Sequence, residues 1–299
     1  MGFTAESKYF MTATKQMVCP KGDFKADQIP DQTGRIVIRN AKVYMGARNK
    51  SKAEAAIADL KEQTGKEALF LELDLGSLAS VRKAAEEFLS KENELHILFN
   101  NAGVMFCPVD MLTEDGYDLQ FGTNVLGHFF FTELLMPALL AGKETSPDKH
   151  ARIITTSSSG ALLATVNFDT LKDGPARRKR STEQLYYQSK FCNAVVARQI
   201  ARKYGDKGII SHSVDPGLIQ TDLQRYMPPV QKKIIGTMLS PAPMGALTQL
   251  WGGTMPEALD YNGEYLIPWA RIGKCRAEVY DDQLGDRLWE YLEVQVKDK

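Results

Sequence analysis

Tyr186 and Lys190 are the residues of this chain whose types and spacing most directly make chemistry. They lie in Tyr186-Tyr187-Gln188-Ser189-Lys190, which reads as the start of a helix. Positions i and i+4 then stack on one face, about a turn apart. A free phenol titrates at about pH 10 and exchanges protons poorly at neutral pH. An ammonium held beside it favours the phenolate and pulls that value down. A phenol tuned this way protonates a carbonyl or deprotonates an alcohol, worth about 10²–10⁴ in rate. Taken alone, the pair reads first as an amphipathic surface feature, so the surrounding elements decide.

Those elements alternate. Residues 35–38 are β-branched and read as a buried strand, and 42–47 as a second. A helix over 51–64 and a strand over 68–74 follow. Next come a helix over 77–91, with Ser77 as N-cap, and a strand over 96–101. A long helix lies within 118–140, then a strand over 151–156, the Tyr/Lys helix over 181–204, and strands over 208–215 and 263–267. Strands alternating with helices predict a doubly wound α/β domain, its parallel sheet covered on both faces. In such folds ligands bind beyond the carboxyl ends of the strands. At those ends stand Arg48, Asp74, Asn100-Asn101-Ala102-Gly103, Ser157-Ser158 and Asp215-Pro216-Gly217.

The bulk numbers narrow the class. With 37 basic and 37 acidic side chains in 299 residues, the net charge is zero and no nucleic-acid partner is expected. Cys19, Cys107, Cys192 and Cys275 are scattered, without a CxxC pair, which points away from zinc and from a disulfide framework. His96, His128, His150 and His212 carry no ligand spacing, so no metal is expected. No apolar run reaches spanning length, and the first ten residues hold no apolar signal segment. A cytoplasmic protein without an integral membrane segment is the expectation. Residues 1–34 look polar and irregular; a lead-in over 1–30 precedes a single domain over 31–299. Arg177-Arg178-Lys179-Arg180 reads as a solvated basic loop at the mouth of the site.

The Asn-Asn-Ala-Gly at 100–103, the serine after 156, the Tyr-xxx-Lys and the Pro-Gly at 216–217 stand in one order and spacing. In these the chain resembles the short-chain dehydrogenase/reductases, single-domain Rossmann-type oxidoreductases that use a nicotinamide cofactor. The resemblance covers about residues 30–270 and is strongest to the retinol-dehydrogenase-like and WW-domain-oxidoreductase-like branch. It implies that Tyr186 is the general acid/base and that Lys190 lowers its pKa and binds the nicotinamide ribose. It makes Ser158 the donor to the substrate oxygen; Ser158 is preferred to Ser157 and Ser159 because it lies two past the last clear strand residue. Asn124 matches the asparagine that holds a relay water. Asp74 matches the adenine-reading aspartate, with Leu75 beside it, and Asn101, Ala102 and Gly103 line the adenosine ribose. Ile219 and Thr221 match positions that hold the nicotinamide carboxamide and phosphate. An arginine after the second strand accommodates a 2′-phosphate, so Arg48 argues for NADP. The apolar segment within 220–255, with Ile234, Met238, Leu247 and Trp251, corresponds to the substrate cover and suits a lipophilic carbonyl or alcohol. Related folds pair through helices that include the Tyr/Lys helix, which makes a homodimer an expectation.

One departure is large. The family's Gly-rich loop after the first strand has no counterpart between Gly34 and Gly46. A βαβ unit needs about 30 residues, yet Arg35 to Arg48 spans 14. The first βαβ unit is therefore truncated, with the missing piece falling between Ile38 and Arg39. Either 35–47 runs as one strand, or its first part folds back or peels away. Three readings follow: an NADP(H)-dependent oxidoreductase, a non-catalytic protein of the same fold, or an inactive isoform or mis-joined gene model. Cofactor binding separates the first two.

Overall fold

The computed structural model describes residues 5–17, 24–32, 35 and 42–299. Two sheets form. In the first, β1 (Tyr44–Ala47) runs parallel to β2 (Leu69–Glu72), with Tyr44 opposite Leu69 and Ala47 opposite Glu72. In the second, β3 (Ile97–Asn100), β4 (Ala151–Thr156), β5 (Ile209–Val214), β6 (Tyr265–Ile267) and β7 (Arg271–Ile272) lie side by side in that order. All of these neighbours are parallel except β7, which returns antiparallel to β6. Among the described residues no strand joins the two sheets. The expected strand over 36–38 lies outside the described residues, and Arg35 itself is in a bend.

The helices form where the caps and apolar faces place them. Ala5–Met17 is α1. α2 (Lys50–Thr64) starts at Asn49, whose side chain accepts from the Lys52 N–H, and stops at Gly65 in the left-handed region. α3 (Leu78–Leu89) puts Val81, Ala84, Ala85 and Phe88 into the core. Ser77 occupies its N-cap position, but its side chain makes no cap bond; the Asp115 carboxylate accepts from the Leu78 N–H at 2.9 Å instead. α4 (Leu119–Phe121), a π turn (Gly122–Leu126) and α5 (Gly127–Thr145) run on as one helix. A Cβ on Gly127 would stand 2.4 Å from the Leu75 carbonyl oxygen, so glycine lets this helix press against the loop after β2. α6 (Pro175–Arg178) is one turn. α7 (Thr182–Tyr204) opens with a reciprocal capping box between Ser181 and Gln184. α8 (Pro229–Gly236), α9 (Ala242–Thr254) and α10 (Asp282–Val296) complete the set.

Three expectations need correction, and one helix was not foreseen. The chain over 5–17 is not irregular: α1 buries Ala13, and Arg276 stacks 4.3 Å from the Tyr9 ring. The helix Leu119–Thr145 is long and apolar enough to span a membrane by length and composition. Its apolar window is 72% buried within the fold, as a core helix is. Arg177 is not solvated; it is 1% exposed and bonds the Asp118 carboxylate at 3.1 Å, Asp173 at 3.2 Å and the Met111 carbonyl at 3.0 Å. Finally, α10 was not anticipated. Its Leu288, Trp289 and Leu292 are buried, with Trp289 edge-on to Phe129 of α5 at 5.0 Å and near Tyr204 of α7. It thus covers a face of the Tyr/Lys helix.

Candidate active site

α7 carries Tyr186, Ser189, Lys190 and Asn193 within two turns, all buried. The end of β4 receives them. Lys190 Nζ donates to the Thr156 carbonyl at 2.9 Å, and Asn193 Nδ2 donates to the same oxygen at 2.9 Å. In return Ser157 Oγ donates to the Lys190 carbonyl at 2.7 Å. Lys190 Nζ lies 5.8 Å from the centre of the Tyr186 ring. The i, i+4 stacking expected from the sequence is therefore present, anchored by the strand end rather than by the pair alone.

The triple serine is sorted by its contacts. Ser157 is buried and committed to α7. Ser158 caps the 3₁₀ turn Ser159–Leu162, accepting from the Gly160 N–H at 3.1 Å, and shares a hydrogen bond with the Tyr186 phenol. Ser159 directs its backbone N–H at Asp215. Ser158 is the serine brought to the phenol.

Asn124 sits in the π turn, an element frequent at functional sites. Its Oδ1 accepts from the Val104 N–H at 2.8 Å, and its Nδ2 donates to the Val104 carbonyl at 2.9 Å and to Ser189 Oγ at 3.0 Å. Both amide donors are used, leaving one lone pair on Oδ1. Gly103 packs against it: a Cβ there would come within 2.9 Å of Asn124 Oδ1 and 3.6 Å of Lys190 Nζ. Asn124, Gly103, Ser158, Tyr186 and Lys190 thus form one cluster.

The electrostatics differ from the simple expectation. Burial holds the Tyr186 phenol above its usual range; the Ser158 hydrogen bond works the other way, and the Asp215 carboxyl adds to the rise. Lys190 does not win this balance. It is itself pushed down to about 8 by burial, with Asp215 opposing that shift. Asp215 is pushed up to about 6, again chiefly by burial. A low-dielectric site disfavours every charged form at once.

Past the ends of β1 and β2, Arg48 and Asp74 face each other at 3.8 Å, both substantially exposed. Asp74 Oδ1 accepts from the Gly76 N–H at 2.8 Å, and Leu75 is buried. Asn101 Oδ1 accepts from Gln249 Nε2 of α9 at 2.9 Å and from Thr156 Oγ1 at 3.3 Å. The Ala102 carbonyl lies 2.8 Å from His128 Nε2, and burial holds His128 down to about 4, so the neutral ring donates there. Ile219 and Thr221 stand on the loop after β5. Ile219 bridges to Ser240 and packs under Gly245, while Thr221 caps the 3₁₀ turn Asp222–Tyr226. No described hydrogen bond ties these two to Tyr186 or Lys190.

Sequence reasoning missed Phe106, Thr156, Asn193 and Gln249. Phe106 holds φ at 55°, donates its N–H to Gln120 Oε1 at 2.7 Å and meets the Tyr186 ring edge-on at 5.3 Å. Asn193, three residues past Lys190 on the same face, was findable by spacing. The others depend on contacts between distant segments. Among the described residues no group of three or more His, Cys, Asp or Glu could hold a metal ion. The larger described cavity, about 560 Å³ beside Val166, Arg180 and Gln188, includes none of the candidate site residues.

The chain matches the short chain dehydrogenase family over residues 32–169. It is 55% identical over 301 residues to a short-chain dehydrogenase/reductase of Armillaria gallica, covering 95% of this chain and 97% of that protein. It is 32% identical over 281 residues to human retinol dehydrogenase 14, covering 86% and 79%. In structure it is similar to an uncharacterised protein from Mycobacterium paratuberculosis, with TM-score 0.71 and 25% identity over 92% of this chain and 97% of that one. It also resembles gluconate 5-dehydrogenase from Burkholderia cenocepacia, solved with NADP and tartrate, with TM-score 0.57 and 19% identity over 76% and 83%. By sequence, fold and the clustered motif residues, the chain belongs to the short-chain dehydrogenase/reductase family, in its retinol-dehydrogenase-like branch.

Proposed function

We infer that this chain is an oxidoreductase that interconverts a lipophilic alcohol and its carbonyl with NADP(H), using Tyr186 as general acid/base. The observation that carries the reading is the cluster of buried Tyr186 and Lys190 with half-buried Ser158, Lys190 being fixed on the Thr156 carbonyl. A phenol held above its usual range is protonated at neutral pH, the form that donates. In the reductive direction Tyr186 gives its proton to the carbonyl oxygen as negative charge develops there. Ser158 hydrogen-bonds the same oxygen, and the Lys190 ammonium favours the phenolate left behind. Phe106 packs edge-on against the Tyr186 ring at 5.3 Å.

The residues present suit both nucleoside ends of a dinucleotide. Lys190 and Tyr186 would hold the nicotinamide ribose, and Arg48 and Asp74 the adenosine end; the bound nucleotide supplies the hydride. Arg48 is 63% exposed and bound only loosely to Asp74, which leaves its guanidinium available to a 2′-phosphate. The Burkholderia neighbour holds NADP, but its likeness is one of fold, so Arg48 carries the choice. A lipophilic substrate is supported by Phe106 at the phenol and by Tyr226, Val230 and Met238, which expose apolar side chains along the 220–255 segment.

A second reading has its own support. The Gly-rich loop is absent from the sequence, and the two sheets are not joined among the described residues. The Armillaria relative aligns over 301 positions while engaging 95% of these 299 residues, so it carries residues this chain lacks. That favours a non-catalytic member of the fold or an inactive isoform. The test is an assay of the full chain with NADPH and medium-chain aldehydes, wild type beside Tyr186→Phe. Turnover lost in the variant supports the enzyme reading; equal rates in both remove Tyr186 from the chemistry, and no turnover in either supports the second.

A further inference from the structure

Asp215 stands among the ionisable groups around Tyr186, and the roles above do not use it. It follows β5 directly and is 1% exposed. Its Oδ1 accepts from the Gly217 N–H at 3.0 Å, while its Oδ2 is buried with no hydrogen-bond partner. Strand register sets it beside Lys190: Thr156 stands opposite Val214, the Ser157 N–H donates to the Val214 carbonyl at 2.7 Å, and this same strand end holds Lys190, through the Thr156 carbonyl to its Nζ and through Ser157 Oγ to its carbonyl. The Ser159 N–H from the 3₁₀ turn, Tyr186 from α7, Tyr265 from β6 and Cys275 beyond β7 also face the carboxyl, and His128 of α5, neutral above about 4, faces Lys190. The Tyr265 hydroxyl is likewise buried and unpartnered. Lys190 is the cation of the group. Its ammonium is bonded to a neutral carbonyl, and no described carboxylate lies within 4.0 Å of it. A buried ammonium in that position needs charge compensation or it sheds its proton.

We propose that Asp215 is the counter-charge that keeps the buried Lys190 ammonium protonated, making it a positioning residue for the Tyr186–Lys190 pair. The proposal rests on reading that pair as the acid/base device. It accounts for a carboxylate with one oxygen fastened to the turn and the other left without a partner inside the site. Lys190 sits at about 8 and Asp215 at about 6, so both are charged between those values. Below about 6 Asp215 takes a proton and Lys190 loses its counter-charge; above about 8 Lys190 itself is neutral. The Tyr265, Cys275 and Tyr186 side chains are neutral throughout that window, each held up by burial.

The test reads Lys190 rather than turnover. The full chain is labelled with ¹³Cε-lysine, the Lys190 signal is identified by its loss in Lys190→Met, and the signal is followed from pH 5 to 11. Asp215→Asn keeps an acceptor for the Gly217 N–H and removes the charge. The proposal expects the Lys190 midpoint to fall by about one unit or more, a tenfold loss of ammonium at a given pH. It expects no such fall in Tyr265→Phe. An unchanged midpoint in Asp215→Asn, or an equal fall in Tyr265→Phe, overturns it. Should Asp215→Asn not fold, the wild type decides: its Lys190 signal must show a second inflection near pH 6, and a single smooth curve overturns the proposal. Turnover is not read here, so the two fail separately: an inactive wild type would sink the enzyme reading and with it the positioning role, while an unshifted Lys190 midpoint would sink the counter-charge alone.

Discussion

The two sheets differ in how they are buried. Every residue of β4 and β5 is buried, whereas β1 has no buried residue and β2 has only Leu71. The five-stranded sheet is covered by α5 and α7, and α10 closes over those helices. The small sheet leans on α3, through Tyr44 edge-on to Phe88 at 5.1 Å and through Glu92, which pairs with both Lys42 and the Tyr44 hydroxyl. Arg35 to Arg48 spans 14 residues, short of the about 30 that a βαβ unit needs. A parallel sheet is stable when both its faces and its inner edges are covered. The half that holds Ser158, Tyr186 and Lys190 keeps that cover, and the half that holds Arg48 and Asp74 does not. The Tyr186–Lys190 cluster and the Arg48–Asp74 pair therefore rest on regions of unequal burial.

The comparison is broken most severely at Arg177. Arg177→Ala leaves the Asp118 carboxylate buried and unpaired, with an expected loss of about 3–5 kcal/mol in global stability by urea denaturation. A loss under about 1 kcal/mol would show that the buried pair does not hold the larger half together. Tyr186→Phe tests the same half chemically: turnover falls by about 10²–10⁴ while NADPH affinity stays nearly unchanged, so that chemistry and binding separate. Leu71→Ala probes the small sheet. It should cost about 2 kcal/mol, and hydrogen exchange should quicken over residues 44–47 and 69–72 but not over 151–156. Equal acceleration in both sheets would mean that they unfold as one unit.

Acid should strain the larger half. Burial holds His128 and His212 down to about 4, below their unfolded value of about 6.5. Their contribution is present above about 6.5 and is lost as the pH falls toward 4, because the unfolded chain then binds more protons. The melting temperature should drop between pH 7 and 5, and His212→Leu should flatten that drop; an unchanged slope would remove His212 from the account. The smallest effect is at Arg48. Arg48→Ala should weaken NADPH by about 1 kcal/mol more than NADH, because its 63% exposure leaves the pair well screened. Equal losses would remove the 2′-phosphate role.

Much of this was legible before the structure. Tyr186 and Lys190 are linked by helical spacing, and Ser158 by its distance from a strand end; such local rules survive folding. The shortness of the run from Arg35 to Arg48 was legible too, because chain length bounds what 14 residues can cross. What stayed hidden was set by distant partners. Arg177 lies in a basic run that reads as solvated until Asp118 and the Met111 carbonyl close around it. Trp289 is one aromatic near the chain end until α10 meets Phe129. The shift at Tyr186 was misjudged because the spacing shows the ammonium and not the burial that outweighs it.

The proposed oxidoreductase requires that this chain bind NADPH without the Gly-rich loop. The direct measurement is titration of the full 299-residue chain with NADPH, followed by intrinsic fluorescence and by thermal melting. The account predicts saturable binding and a melting temperature that rises with nucleotide, by about 2.7 kcal/mol of added stability at a hundredfold excess over Kd. A chain that melts cooperatively yet shows neither saturation nor any shift would contradict it, and would leave a folded catalytic half without a cofactor to serve.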